Sequence, residues 1–209
     1  MGVIESSFEE NDEMALSEET LSQERTPEYT IRAMSLDDLI IAVEWAAAEG
    51  WNPGLHDADC FYAADEGGFL MGLLDGAPIA SISVVKYDET FGFLGFYIVK
   101  PEFRGRGYGW QIWQAGLARL AGFNVGLDGV VEQQKNYLKS GFKLAHRNVR
   151  YEGFRRSEDW ALATNSHEYE LVALSSVSFE EVMAYDKEIF LCDRPEFLQC
   201  WIKSPHHRS

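Results

Sequence analysis

One stretch constrains this chain more than any other. It reads Val99-Lys100-Pro101-Glu102-Phe103-Arg104-Gly105-Arg106-Gly107-Tyr108-Gly109, between an apolar run from Phe91 to Val99 and a helix-periodic segment that begins near Tyr108. A strand that passes through a glycine-rich turn into a helix N-terminus is a device for holding phosphate. The first helical N–H groups lack intrahelical partners, and the helix dipole adds partial positive charge there. Without Cβ atoms at Gly105, Gly107 and Gly109, oxygens can approach the backbone and the chain can take positive φ. Arg104 and Arg106 add fixed charge and forked donors suited to a pyrophosphate.

Other phosphate motifs fit poorly. No Gly-Lys-Ser/Thr follows, as a P-loop requires, and the spacing is G-x-G-x-G where dinucleotide folds use G-x-G-x-x-G. About 30 residues downstream lies Gln134-Lys135-Asn136-Tyr137-Leu138-Lys139-Ser140-Gly141-Phe142. The two segments together, Arg-x-x-Gly-x-Gly after a strand ending Val-x-Pro and an Asn-Tyr shortly before Gly-Phe, resemble the GCN5-related N-acetyltransferases (GNAT). That resemblance implies an α/β (α+β) fold with a mixed central sheet and helices on both faces. It implies acetyl-CoA as co-substrate, with no metal. The pantetheine arm would run along Tyr97, Ile98 and Val99, one backbone N–H serving as oxyanion donor. The pyrophosphate would sit on Arg104 to Gly109, including Tyr108. Tyr137 would protonate the departing thiolate and Asn136 would help order the site. A phenol suits that role because its pKa, near 10, exceeds that of a thiol.

Composition narrows the rest. With 46% hydrophobic and 13% aromatic residues, 209 residues suffice for one well-buried core and part of a second unit. No apolar run reaches the roughly 18 residues needed to span a membrane, and the N-terminus lacks the pattern of a secretory signal. Cys60, Cys192 and Cys200 are an odd count without metal-type spacing and fit a reducing compartment, hence a cytoplasmic protein. The 34 acidic against 18 basic residues, net −16, argue against nucleic acid and are compatible with a cationic amine. Residues 1–28 carry nine acids and one base and read as a disordered acidic tail.

The acetyltransferase domain is expected over residues 29–151, in the order βααβββαβαβ. Tyr29 to Arg32 reads as a strand. Ser35 and Asp38 form a capping-box start for a helix with Leu36, Leu39, Ile40, Val43 and Ala47 on one face, stopped by Gly50. A turn-rich loop from Trp51 to Asp59 follows. Phe69–Leu74 and Ile79–Tyr87 read as a hairpin about Asp75-Gly76. Phe91–Val99 has the doubly apolar pattern of a central strand, in which Gly92 and Gly95 mark close approach. Trp110, Trp113, Leu117 and Leu120 share a helical face. Asn124–Asp128 reads as a strand, Gln133–Ser140 as a helix and Phe142–Tyr151 as a last strand.

Residues 152–166 read as a linker, and 167–209 as the start of a second, incomplete domain packing on the first. It holds a strand from Glu170 to Leu174, a helix capped by Ser178 and Glu181, and another opened by Pro195. The whole chain is similar to a two-module subgroup in which a second, diverged domain follows the acetyltransferase.

The amine side is less specified. A general base could be Asp128, at a strand end, or Asp57, Asp59 or His56 in the long loop. Trp51, His56 and Asp57 are the candidates for touching the acceptor. His56-Asp57-x-Asp59-Cys60 has no partner cluster, so no metal is expected. The leading reading is an acyltransferase that moves acetyl from acetyl-CoA to a primary amine of a small molecule or peptide. The alternative is a non-catalytic acyl-CoA-binding module on the same fold. A homodimer is compatible with either.

Overall fold

The computed structural model describes residues 26–149, 151, 153–154, 172–190 and 192–204. Most of the expected tail, the linker from 155 to 166 and the first half of the expected strand at Glu170 lie outside these residues. Five strands form one sheet in the order β1-β2-β3-β4-β5: β1 (Tyr29–Ala33), β2 (Phe69–Leu74), β3 (Ala77–Lys86), β4 (Phe91–Val99) and β5 (Asn124–Leu127). Neighbours are antiparallel up to β4, and β5 joins β4 in parallel after the crossover helix α3 (Tyr108–Arg119). The sheet is therefore mixed, as the pattern implies.

Two apolar clusters cover its faces. On one face α3 lays Ile112, Trp113 and Leu120 against Ile82, Val84 and Leu94. On the other, α1 (Leu36–Ala48) and α2 (Asp57–Ala64) bury Leu39, Ala42 and Cys60, while Phe69, Met71 and Val85 contribute from the strands. Two details differ from the periodicity. In α1 the buried stripe is Leu39, Ala42 and Ala46, and Ile40 is 45% exposed. In α3 Trp110 is 61% exposed, and Gly116 faces β3 so closely that a Cβ would sit 2.9 Å from Val84 Cγ1. Each helix sets small residues (Ala42 and Ala46; Gly116) beside large ones (Leu39; Ile112 and Trp113) on its buried face, and Ile40 and Trp110 fall off the edges of those stripes. α2 is an eight-residue helix within what the turn residues suggested was loop up to Asp59.

The capping box forms as expected. Ser35 Oγ accepts from Asp38 N–H at 3.2 Å, and Asp38 accepts from Ser35 N–H at 2.8 Å and from Arg32 at 2.6 and 3.1 Å. The Arg32 guanidinium, then Ser35, holds the Asp38 carboxyl well below the usual carboxylate range. Asp38→Ala should cost about 1–2 kcal/mol at pH 7. A depressed carboxyl stabilises the fold above its unfolded pKa of about 4 and loses that contribution as pH falls. The gap in Tm between wild type and variant should therefore narrow in melts at pH 3; an equal gap at both pH values would exclude the ion pair.

The C-terminal part corrects two expectations. Residues 142–149 and Tyr151 form no strand; Phe142 turns in against Trp113, while Leu144 and Val149 stay 57% and 68% exposed. The alternation of Phe142 with Leu144 is not continued at 146 and 148, where His and Asn stand, and among the described residues β5 is the sheet edge. Residues 172–173 are also not a strand, and Leu174–Ser176 make a 3-10 turn.

Beyond the turn, Ser178 and Glu181 exchange hydrogen bonds of 3.2 Å at the start of α5 (Phe179–Phe190), and Pro195 opens α6 (Pro195–Lys203). Both helices touch the sheet domain. Phe197 stacks on Phe61 of α2 at 6.2 Å and 11°, Ser204 Oγ lies 3.3 Å from Cys60 Sγ, and Leu198 and Cys192 are buried. Arg194 makes 2.8 and 2.7 Å bonds to Asp186 and lies over the Phe190 ring at 3.9 Å, fixing the α5–α6 corner.

Candidate active site

The glycine-rich turn is built as its residues require. Pro101–Phe103 makes a single 3-10 turn, Gly105 has φ +75°, and Gly107 takes the N-cap of α3 at φ +85° with no side chain capping the first turn. A Cβ on Gly107 would meet nothing within 4 Å, so the space beside this N-cap is open. Gly109 serves a different end: a Cβ there would fall 2.8 Å from Tyr97 Oη and 3.0 Å from Val99 Cγ2, so its absence lets α3 lie on β4. Arg104 donates from Nε to Val99 O at 2.7 Å and pairs with Glu49 at the end of α1, its side chain still 49% exposed. It braces the loop, and Arg106, also exposed, lies 5.8 Å from the Phe103 ring.

At the middle of β4 the ladder is interrupted. Ser83 pairs with Gly95 and Ser81 with Ile98, so Phe96 and Tyr97 together oppose Ile82 in a β-bulge, with Phe96 at φ +45°. Ser81 Oγ donates to Phe96 O at 2.8 Å and pins it. The extra residue reverses the alternation of side chains. Phe93 and Phe96 face α2 and the C-terminal helices, whereas Tyr97 and Val99 join the α3 face. Parallel pairing with β5 stops at Leu94 and Leu127, and β4 runs on to Val99 with no strand beside it on that side among the described residues. Lys100 N–H donates to Ile79 O on β3. By alternation the N–H groups of Tyr97 and Val99 face the side that β5 has left, and that of Ile98 faces β3. Neither the bulge nor this polarity is visible in the residue types; Gly95 is the sole sign of it.

Tyr137 reaches the same opening from α4 (Gln134–Lys139). Its ring stacks on Trp113 at 5.8 Å and 27°, and Trp113 lies 5.1 Å from the Tyr97 ring and bonds Ser140 Oγ at 3.1 Å. Gly129 permits this, since a Cβ would lie within contact distance of the Tyr137 ring. Burial pushes the Tyr137 phenol above its ordinary value, against a smaller opposing effect of the Val130 N–H that donates to it. Burial, then the neighbouring Tyr137, raises Tyr97 as well. Asn136 is exposed and donates to Gln133 at 2.7 Å.

Across the sheet lies a cavity of about 350 Å³, lined by Trp51, Phe61, Tyr87 and Phe93, by Gly95 and Phe96 of the bulge, and by Asp128. Asp128, just past β5, accepts from Asn148 Nδ2 at 3.0 Å. Of the residues singled out for the acceptor, Trp51 lines the cavity. His56 and Asp57 do not: His56 precedes α2, and Asp57 accepts Gly54 N–H at 2.7 Å, closing the turn into that helix. Among the described residues no group of three or more His, Cys, Asp or Glu is placed to hold a metal ion. Phe190 of α5 completes the wall; the apolar stripe of its helix, which includes Ile189 and Phe190, is the sequence signal that this segment packs on the sheet domain.

A mixed sheet opened at a bulge, beside a glycine-capped helix, defines an acyltransferase-type α/β protein. The acetyltransferase (GNAT) family pattern matches residues 23–142, and the chain belongs to that family. The chain is 34% identical over 173 residues to a holothin acyltransferase of Pseudoalteromonas sp. (strain SANK 73390), covering 83% of this chain and 57% of that protein. It thus spans about half the length of the curated relatives it matches. A solved structure from Pyrococcus horikoshii assigned to the acetyltransferases superposes with a TM-score of 0.60 at 18% identity, over 84% of this chain and 62% of that one. Ard1 from Thermoplasma volcanium gives 0.50 at 21%, over 56% and 84%. At these identities the structures speak to the fold alone.

Proposed function

We propose that this chain transfers the acetyl group of acetyl-CoA to a primary amine. The observation that carries the reading is the bulge at Phe96, which frees the amides of Tyr97 and Val99 next to the glycine-capped N-terminus of α3. The family and the relative named for acyl transfer support the same reaction class. The Gly105–Gly109 backbone and Arg106 hold the donor's pyrophosphate, and the free edge of β4 takes its pantetheine arm as an added strand. Acetyl-CoA supplies the acetyl group and the thiolate that leaves. The outward N–H of Val99 or Tyr97 donates to the thioester carbonyl, a contact worth roughly 3 kcal/mol in comparable acyl transfers. The amine nitrogen forms its bond to the acetyl carbon as the carbon–sulfur bond breaks. Asp128 accepts the proton the amine gives up, directly or through water, and Tyr137 gives its own to the thiolate before recovering one from solvent.

We further read residues 29–151 as the acetyltransferase domain and 167–209 as the beginning of a second module leaning on it. The 173-residue match to the relative necessarily runs beyond residue 142, where the family pattern ends. Three unpaired thiols, two of them pushed up to about 11 by burial, accord with a cytoplasmic setting.

Release of free thiol from acetyl-CoA, dependent on an added amine, tests the activity. Asp128→Asn should lower kcat about 10²-fold with acetyl-CoA affinity kept. Amine-independent acetyl-CoA binding with no thiol release in any mixture would favour the non-catalytic binding module.

A further inference from the structure

We infer that the acceptor is a small, flat aromatic amine, and that Phe190 of the C-terminal helix α5 is a specificity-determining residue for it. The inference rests on the acetyl-transfer reading and names the acceptor class of that site.

Among the described residues, seven of the twelve that line the cavity are aromatic, and Asp128 is the one that carries charge. Its 350 Å³ falls near the lower end of the roughly 300–1,000 Å³ usual for small-molecule sites. The aromatic rings are held edge to face. Phe61 meets Phe96 at 5.5 Å and 70°, and Trp51 meets Phe96 at 6.4 Å and 79°. Phe190 meets Tyr87 at 4.9 Å and 78° and Phe91 at 6.1 Å and 87°. Such walls present ring faces and edges to an occupant, which favours another flat ring.

The polar content excludes other acceptors. A polyamine needs several carboxylates, and the described lining offers one. A sugar or aminoglycoside would bury hydroxyls against rings with few partners, a cost of about 1–3 kcal/mol for each unmatched group. Asp128 follows Leu127, the last β5 residue paired with β4 (opposite Leu94), and so lies beside Gly95, where the ladder opens. A single amine held there lies on the reaction side while its ring occupies the aromatic part.

Phe190 reaches this wall from a segment outside the residues matched by the family pattern. Its ring is clamped from behind by Arg194 at 3.9 Å, itself fixed by Asp186, and Arg194 also covers Phe197 at 4.8 Å. The clamp makes Phe190 a rigid wall, so the size of that side chain sets the size of the acceptor.

The test uses the full chain with acetyl-CoA and four acceptor types: tryptamine and tyramine, spermidine, glucosamine, and a short peptide with a free N-terminus. Thiol release should give kcat/KM for the two aromatic amines at least about 10²-fold above the rest. Phe190→Ala should raise KM for them about 10-fold, with calorimetric affinity for acetyl-CoA unchanged. Phe190→Trp, which keeps the wall and narrows the cavity, should shift the preference from tryptamine towards tyramine. Preference for spermidine, glucosamine or the peptide, or KM values indifferent to both variants, overturns the acceptor class while acetyl transfer stands. Calorimetric binding of tryptamine without thiol release upholds the pocket and instead overturns the transfer reading. Absence of both binding and release overturns the two together.

Discussion

Gly107→Val is expected to raise the dissociation constant for acetyl-CoA at least about 10²-fold, equivalent to some 2.7 kcal/mol. Gly107 sits at φ +85°, where a β-branched residue is strained by about 1–3 kcal/mol. The chain can relieve that strain by moving the turn, which misaligns the N–H groups at the start of α3. If the turn holds, the isopropyl group projects into the open space before the helix, where the phosphates approach. Because, among the described residues, none beyond the chain neighbours comes within 4 Å of a Cβ there, the variant should fold with a nearly unchanged circular dichroism spectrum. Gly109→Ala makes the contrasting case: its methyl would collide with Tyr97 and Val99 and should lower Tm. Calorimetry returning wild-type affinity for Gly107→Val would remove the pyrophosphate from this turn.

Tyr137→Phe is expected to lower turnover about 10²-fold while leaving acetyl-CoA affinity intact. The change deletes one hydroxyl; the ring stays stacked on Trp113, so the packing of α4 against α3 survives. Since burial raises the phenol above its ordinary value near 10, Tyr137 keeps its proton throughout the neutral and mildly alkaline range. The wild-type rate should therefore not decline through loss of this proton below about pH 10. An alkaline limb near pH 8 that disappears in Tyr137→Phe would contradict the assignment, as would undiminished turnover.

Features that depend on neighbours in the chain were legible from the residues alone. The Ser35–Asp38 and Ser178–Glu181 caps, Pro195 at the start of α6 and the Asp75-Gly76 hairpin are local, and each folds as its own few residues require. The same holds for the strand, turn and helix from Phe91 to Arg119, since Gly107 permits one conformation that other residues resist. Stripes are less fully legible. Ile40 and Trp110 satisfy helical spacing, yet the buried faces are Leu39, Ala42 and Ala46 in α1 and Ile112, Trp113 and Gly116 in α3. Spacing reports a period without reporting where the stripe's edge will fall. Phe142–Tyr151 reads as a strand, yet its described residues form none, since apolar residues alone do not make a ladder.

The family, the glycine turn, the Asn136-Tyr137 segment and the elements from β1 to α4 are legible in short contiguous stretches of the chain. Tertiary packing settles which of those residues meet. It pairs Arg104 with Glu49, puts two residues of β4 opposite one of β3, and brings Phe190 from the C-terminal helices into one wall with Trp51 and Asp128. Each of these joins residues remote in the chain. Their energies arise when two surfaces close on one another, and no single segment carries that information.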